Sequence, residues 1–136
     1  MELKQQLVDL ELAKELHKLG VPQTSIYGWY CFDNGRHVEP PHIVRVANEE
    51  NAEMKTEKSI IYSAYSVAEL GELLPNERED KYAFFSGLAI NGWFCEVKNY
   101  RVMPYERLHV ELQCETEAEA RAKMLIYLLK NNFINA

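Results

Sequence analysis

Three residues able to do chemistry together stand close in the segment Arg107–Glu115: His109, Glu111 and Cys114. An imidazole beside a carboxylate can take a proton, and a thiol can be the nucleophile it activates. In this segment Leu108, Val110, Leu112 and Cys114 are apolar and the residues between them polar, the period-two pattern of a strand with one wet face. That alternation sets His109 and Glu111 on the face opposite Cys114, so the three cannot share a proton. The histidine and glutamate then read as a solvent-facing pair. A second group, Cys31, His37, Glu39 and His42, contains zinc-ligand types that a hairpin and the Pro40-Pro41 bend could gather. Its spacing matches no recurring zinc pattern, so Cys31, His37 and His42 are weak candidates and no metal is expected. The plainer reading is a hairpin carrying surface imidazoles. The six glycines form no phosphate loop, and neither a Gly-x-Ser-x-Gly elbow nor a Cys-x-x-Cys pair occurs. The expectation is a protein without cofactor that is not an enzyme.

The aromatic residues are the other group with a possible role. Tyr27, Trp29, Tyr30, Phe32, Tyr62, Tyr65, Trp93 and Phe94 are too many for one face of a small sheet. Either they form a second buried layer, or some line a groove, where exposed Trp and Tyr mark binding sites. Tyr27, Trp29, Trp93, Met124 and Tyr127 are the expected contacts for a ligand or partner. Acidic clusters at Glu49, Glu50 and Glu53 and at Glu77, Glu79 and Asp80 could imitate nucleic acid toward a basic surface. Solvated loops are the plainer reading, because a net charge of −6 is small for such a decoy.

These residues sit on elements whose ends are written in the sequence. Asp9 can cap a helix with Leu12, Leu16 and Leu19 on one face, which Gly20 and Pro22 stop. Residues 1–8 are left open as arm, strand or helix. Asp33-Asn34-Gly35 turns one hairpin and Asn91-Gly92 a second. Pro40-Pro41 should end the first pairing, with His42–Val46 a separate short strand. Ala47–Lys58 has no periodicity and reads as an exposed loop. Ser66 and Glu69 form a capping box, with Tyr65 and Leu70 as its staple, for a short helix ending before Pro75. Thr116 and Glu119 repeat the box for a long helix whose stripe is Ala118, Ala122, Leu125 and Leu129, leaving Met124 and Tyr127 off it, either to be covered by another segment of this chain or to meet a partner. The total is a single α+β domain over residues 1–136: a small antiparallel, possibly mixed, sheet with an N-terminal helix, a short central capped helix and a long C-terminal helix packed on it.

With 136 residues, 47% hydrophobic and 26% charged, the chain has enough material for one core. Its negative charge argues against binding nucleic acid or an anionic membrane directly. No signal-peptide or spanning pattern stands out, and Cys31, Cys95 and Cys114 look like inert buried thiols, so a cytoplasmic setting is expected.

The segments 63–75 and 116–129, with 10–16, 19–23 and the Tyr27–Tyr30 aromatics, resemble small phage- and prophage-encoded proteins of Bacteroides-type bacteria. The order of elements is also similar to the phage α-β-α sandwich domain. The resemblance carries over no catalytic residue. The expectation of an accessory domain that binds another protein, with self-association into a homodimer as one form of this, rests on the surplus apolar surface of Tyr27, Trp29, Met124 and Tyr127 and on the lack of a catalytic constellation. A small-ligand site or small enzyme with an aromatic pocket near Trp29 and Trp93 is the alternative, and the acidic decoy the third.

Overall fold

In a computed structural model, residues 2–36, 38–46, 59–76 and 81–135 are described. Residues 3–6 form a single helical turn, α1 (Leu3–Gln6), after which Leu7 and Val8 are buried. The next helix, α2 (Leu10–Lys18), starts where expected: Asp9 Oδ1 accepts from the Leu12 amide at 2.8 Å, and Gly20 follows with φ 87°. Ala13 and Leu16 are its buried residues.

The aromatic strand β1 (Tyr27–Asp33) pairs antiparallel with β2 (Val38–Arg45) and with β3 (Ser59–Ser63). The prolines do not end β2, contrary to expectation. They lie within it, at a register shift between Tyr30 and Phe32 of β1, because β2 is an edge strand in the order β2-β1-β3. Such a shift absorbs residues that cannot donate to a ladder. Then α3 (Val67–Leu73) carries its capping box intact, with Glu69 N donating to Ser66 Oγ and Ser66 N to Glu69 Oε1. Staple residues Tyr65 and Leu70 are both buried.

A second hairpin joins β4 (Tyr82–Ala89) to β5 (Gly92–Asn99), which pairs in turn with β6 (Glu106–Cys114). Gly92 has φ 132°, and a Cβ there would stand 2.7 Å from the Cys114 carbonyl oxygen, so glycine is required. The long helix α4 (Glu117–Lys130) closes the fold. Thr116 Oγ1 accepts from Glu119 N, but the Glu119 carboxylate reaches past Thr116 to the Glu115 amide at 2.7 Å.

The fold is α+β, with two three-stranded antiparallel sheets where one was expected. Each sheet takes its own helix: α2 packs on β3, α4 on β4, β5 and β6, and the two helices meet. Because α4 touches α1, α2 and α3 on its other side, it is buried on more than one stripe. Ala120 and Met124, off the expected stripe, have no accessible surface, whereas Leu129 is half-buried. No helix is long and apolar enough to cross a membrane. The Ala47–Lys58 segment and the acidic clusters at Glu49, Glu50, Glu53, Glu77, Glu79 and Asp80 lie outside the described residues.

All three cysteines are free. Burial pushes the Cys95 thiol up to about 12 and raises Cys114 and the half-buried Cys31 above the ordinary value. A thiol reacts as its thiolate. Native protein at pH 8 should therefore give at most one slowly reacting thiol, Cys31, in an aromatic-disulfide assay, and three after denaturation. Rapid labelling of Cys95 or Cys114 in the folded chain would contradict this packing.

Candidate functional site

The face of each strand in the second sheet follows from its register. Cys95 and Val97 of β5 are fully buried under α4, and their cross-strand partners are Ser86 and Phe84 of β4 and Glu111 and His109 of β6. The alternation of β6 is therefore inverted over its middle. His109 and Glu111 face the helix, and Val110 and Leu112 face outward. Two bulges cause this. Between Cys95 and Trp93 the partner strand runs from Glu111 to Cys114, one residue too many, with Gln113 at φ 57°. The other lies between Val97 and Lys98, whose partners are His109 and Arg107, and it lets Leu108 pack on the core.

His109, Glu111 and Cys114 thus share one face, against the sequence reading. His109 stacks on Tyr127, ring centroids 3.6 Å apart and 5° from parallel, with Nε2 3.0 Å from Glu111 Oε1. The Cys114 thiol donates to the Leu112 carbonyl at 3.6 Å and is held protonated by burial, the opposite of an activated nucleophile. Of the three, His109 joins strand to helix, through its stack on Tyr127. Nearby, burial raises the Glu119 carboxyl, but hydrogen bonds from Lys123, 2.9 Å away, and from the Glu115 amide outweigh it and hold the group below 4.5. A depressed carboxyl stabilises the fold above its ordinary value and loses that contribution as pH falls. Glu119→Gln should therefore flatten the loss of melting temperature below about pH 4.5 while costing under ~1 kcal/mol at pH 7, the pair being partly exposed. An acid limb identical to that of the native chain would remove this account.

Of the five expected contact residues, Met124 is core and Trp29 is 8% exposed, its indole Nε1 donating to the Val8 carbonyl at 2.9 Å. Tyr27 is half-buried against the core, and Tyr127 is covered by His109 and neighbours Phe133. Trp93 is half-buried beside a cleft of about 130 Å³ bounded by Gln5, Val67 and Glu117. The two indoles stand on different sheets, and the Trp93 cleft is below the range of ~300–1,000 Å³ usual for small-molecule sites. In the first sheet, Tyr30 pairs with His42 and their rings lie 5.3 Å apart. Cys31 points to the other face, so it cannot meet His42; His37 lies outside the described residues. Among the described residues no group of three or more potential ligands could hold a metal.

Several exposed apolar side chains gather on the outer face of β4, β5 and β6. Phe85 is 55% and Leu112 61% exposed there, Ile90 at the adjoining turn is fully exposed, and Phe94 lies between. Gly87 makes room for the Phe94 ring, since a Cβ there would stand 3.2 Å from it. Ala89, Ile90, Phe94 and Leu112 wall a shallow depression of about 400 Å³. Toward the other end of the face Glu96 is buried between Lys98 Nζ, at 3.2 Å, and the Arg107 guanidinium, at 3.0 Å. None of these residues was singled out by type or spacing except Phe94, because the bulge that turns Leu112 outward has no signature in the sequence. No protein-family model matches the chain, and no curated protein or solved structure is similar to it.

Proposed function

We propose that this chain is a non-enzymatic, protein-binding accessory domain of the phage or prophage kind that its helices resemble, acting in the cytoplasm and docking its partner on the outer face of β4–β5–β6. The observation that carries this reading is the exposure of Phe85, Leu112 and Ile90 together on a sheet whose other face packs on α4. Apolar side chains grouped this way on a small domain mark interaction surfaces. Of the polar groups that could have done chemistry, His109 is stacked on Tyr127 of α4 and bonded to Glu111, and the Cys114 thiol is bonded within β6 to the Leu112 carbonyl.

The test pairs the native chain with a Phe85→Ser, Leu112→Gln variant. Both positions are exposed, so the variant should keep the native circular dichroism and lose less than ~1 kcal/mol of stability. A host or phage protein that binds the native chain, rebinds after purification and is lost by the variant supports the reading. A partner held equally by both assigns the contact elsewhere, and no partner for either overturns it. Light scattering at high micromolar concentration separates self-association: a dimer mass that disappears in the variant gives the face to a second copy.

A further inference from the structure

We propose that the partner on this face is an amphipathic helix of another protein, laid along the strands with its apolar stripe on Phe85, Phe94 and Leu112 and an acidic end on Lys98 and Arg107. This rests on the reading of the outer face as a docking surface.

The dimensions favour one helix. Three strands spaced ~4.8 Å apart give a face roughly 14 Å wide, and eight residues at ~3.3 Å make it about 26 Å long. A helix is ~10 Å across, and ~17 residues span that length. A globular partner would need about 800 Å² on each side, roughly twice what this face offers. The depression beside Phe94 and Leu112 accepts one large apolar side chain from the stripe.

Charge fixes the direction and the chemistry. At the Lys98 end two cations surround one carboxylate, and Arg107 is half exposed, so the described residues of the face carry an excess of one positive charge. The chain as a whole carries −6. An acidic helix end is therefore attracted here against the net field of the protein. A second copy is disfavoured by the same residues. In a two-fold dimer with its axis along the strands, Lys98 and Arg107 of both copies meet, and with the axis across the strands they cover the apolar end of the partner. Either arrangement brings like charges together or strips cations of water.

Two synthetic 18-residue helices test this against the full chain. They carry the same leucine stripe, one ending in three glutamates and the other in three lysines, and binding is read by fluorescence anisotropy. The acidic helix should bind about tenfold more tightly at ~20 mM salt, and the preference should fade near ~500 mM. Amide shifts should fall on Phe85, Phe94, Leu112 and Lys98, and Arg107→Gln, which leaves Lys98 on Glu96, should reduce the preference. Equal or tighter binding of the basic helix overturns the inference, because the net charge alone would produce that. Binding of neither helix, or a dimer mass lost in the Phe85→Ser, Leu112→Gln variant, also overturns it. If that variant still loses a captured partner while the helices show no preference, the docking face stands and the acidic helix falls. If the shifts appear on another surface, both fall.

Discussion

Trp29→Ala should destabilise the chain by about 3–5 kcal/mol, the cost of emptying a tryptophan-sized site in a packed core. The indole is 8% exposed, lies between Ile43 and Tyr62 on the neighbouring strands, and donates to the Val8 carbonyl at 2.9 Å. Its loss leaves a cavity and a buried carbonyl without a partner, which adds about 1 kcal/mol or more. A domain of this size has only ~5–15 kcal/mol in total, so the variant should melt ~10 °C lower or fail to fold. Trp29→Phe, which keeps a ring and loses the hydrogen bond, should cost less, about 1–2 kcal/mol. Urea denaturation of the three proteins measures both steps. A Trp29→Ala protein of near-native stability would mean that the indole is not a strut between β1 and the segment after α1. The same result bears on binding assays: a partner lost on Trp29→Ala reports unfolding, and exposed positions such as Leu112 are the informative ones.

Arg121→Met should cost about 2–4 kcal/mol although the residue is charged and partly exposed. Its Nε donates to Ser86 Oγ at 3.0 Å, one terminal nitrogen to the Val67 carbonyl at 2.8 Å and the other to Glu117 Oε2 at 3.3 Å. Ser86 Oγ in turn donates to the same Glu117 oxygen at 2.7 Å, and the guanidinium covers the Phe84 ring. One side chain thus ties α4 to α3 and β4. Methionine replaces the stem but takes the guanidinium donor from the Val67 carbonyl and leaves the half-buried Ser86–Glu117 pair without its cation, and removing one member of such a set costs more than the set contributes. Glu117→Gln in the same background should recover part of the loss, giving a coupling of ~1–2 kcal/mol in a double-mutant cycle. Additive losses, or a cost for Arg121→Met below ~0.5 kcal/mol, would show that solvent already satisfies these groups.

The parts of the fold legible in the sequence are those fixed by neighbours along the chain. Asp9, Ser66 and Thr116 cap their helices because a side chain and an amide two or three residues on decide the matter, and the two hairpin turns are equally local. Which elements cover Met124 was not legible, since that depends on α2 and α3 meeting α4 from the far side. Strand faces failed for a sharper reason. Alternation presumes a strand without extra residues, and two bulges in β6 exchange the sides of His109, Val110, Glu111 and Leu112 while leaving Cys114 inward. The candidate site was therefore invisible: the residues read as core form its surface, and those read as wet lie against the helix.

The edges of the two sheets share a property that governs behaviour at high concentration. In β2 the prolines remove two donors, β3 is five residues long, the Phe84 amide of β4 is taken by the Pro75 carbonyl at 3.3 Å, and β6 is broken by a bulge toward each end. Among the described residues, three of the four edge strands are therefore proline-bearing, short or bulged, and the fourth is capped near its start, features that hinder pairing between molecules, the route by which β-rich chains grow into fibrils. These edges lower the tendency of a chain that displays an apolar sheet face to template its own polymerisation.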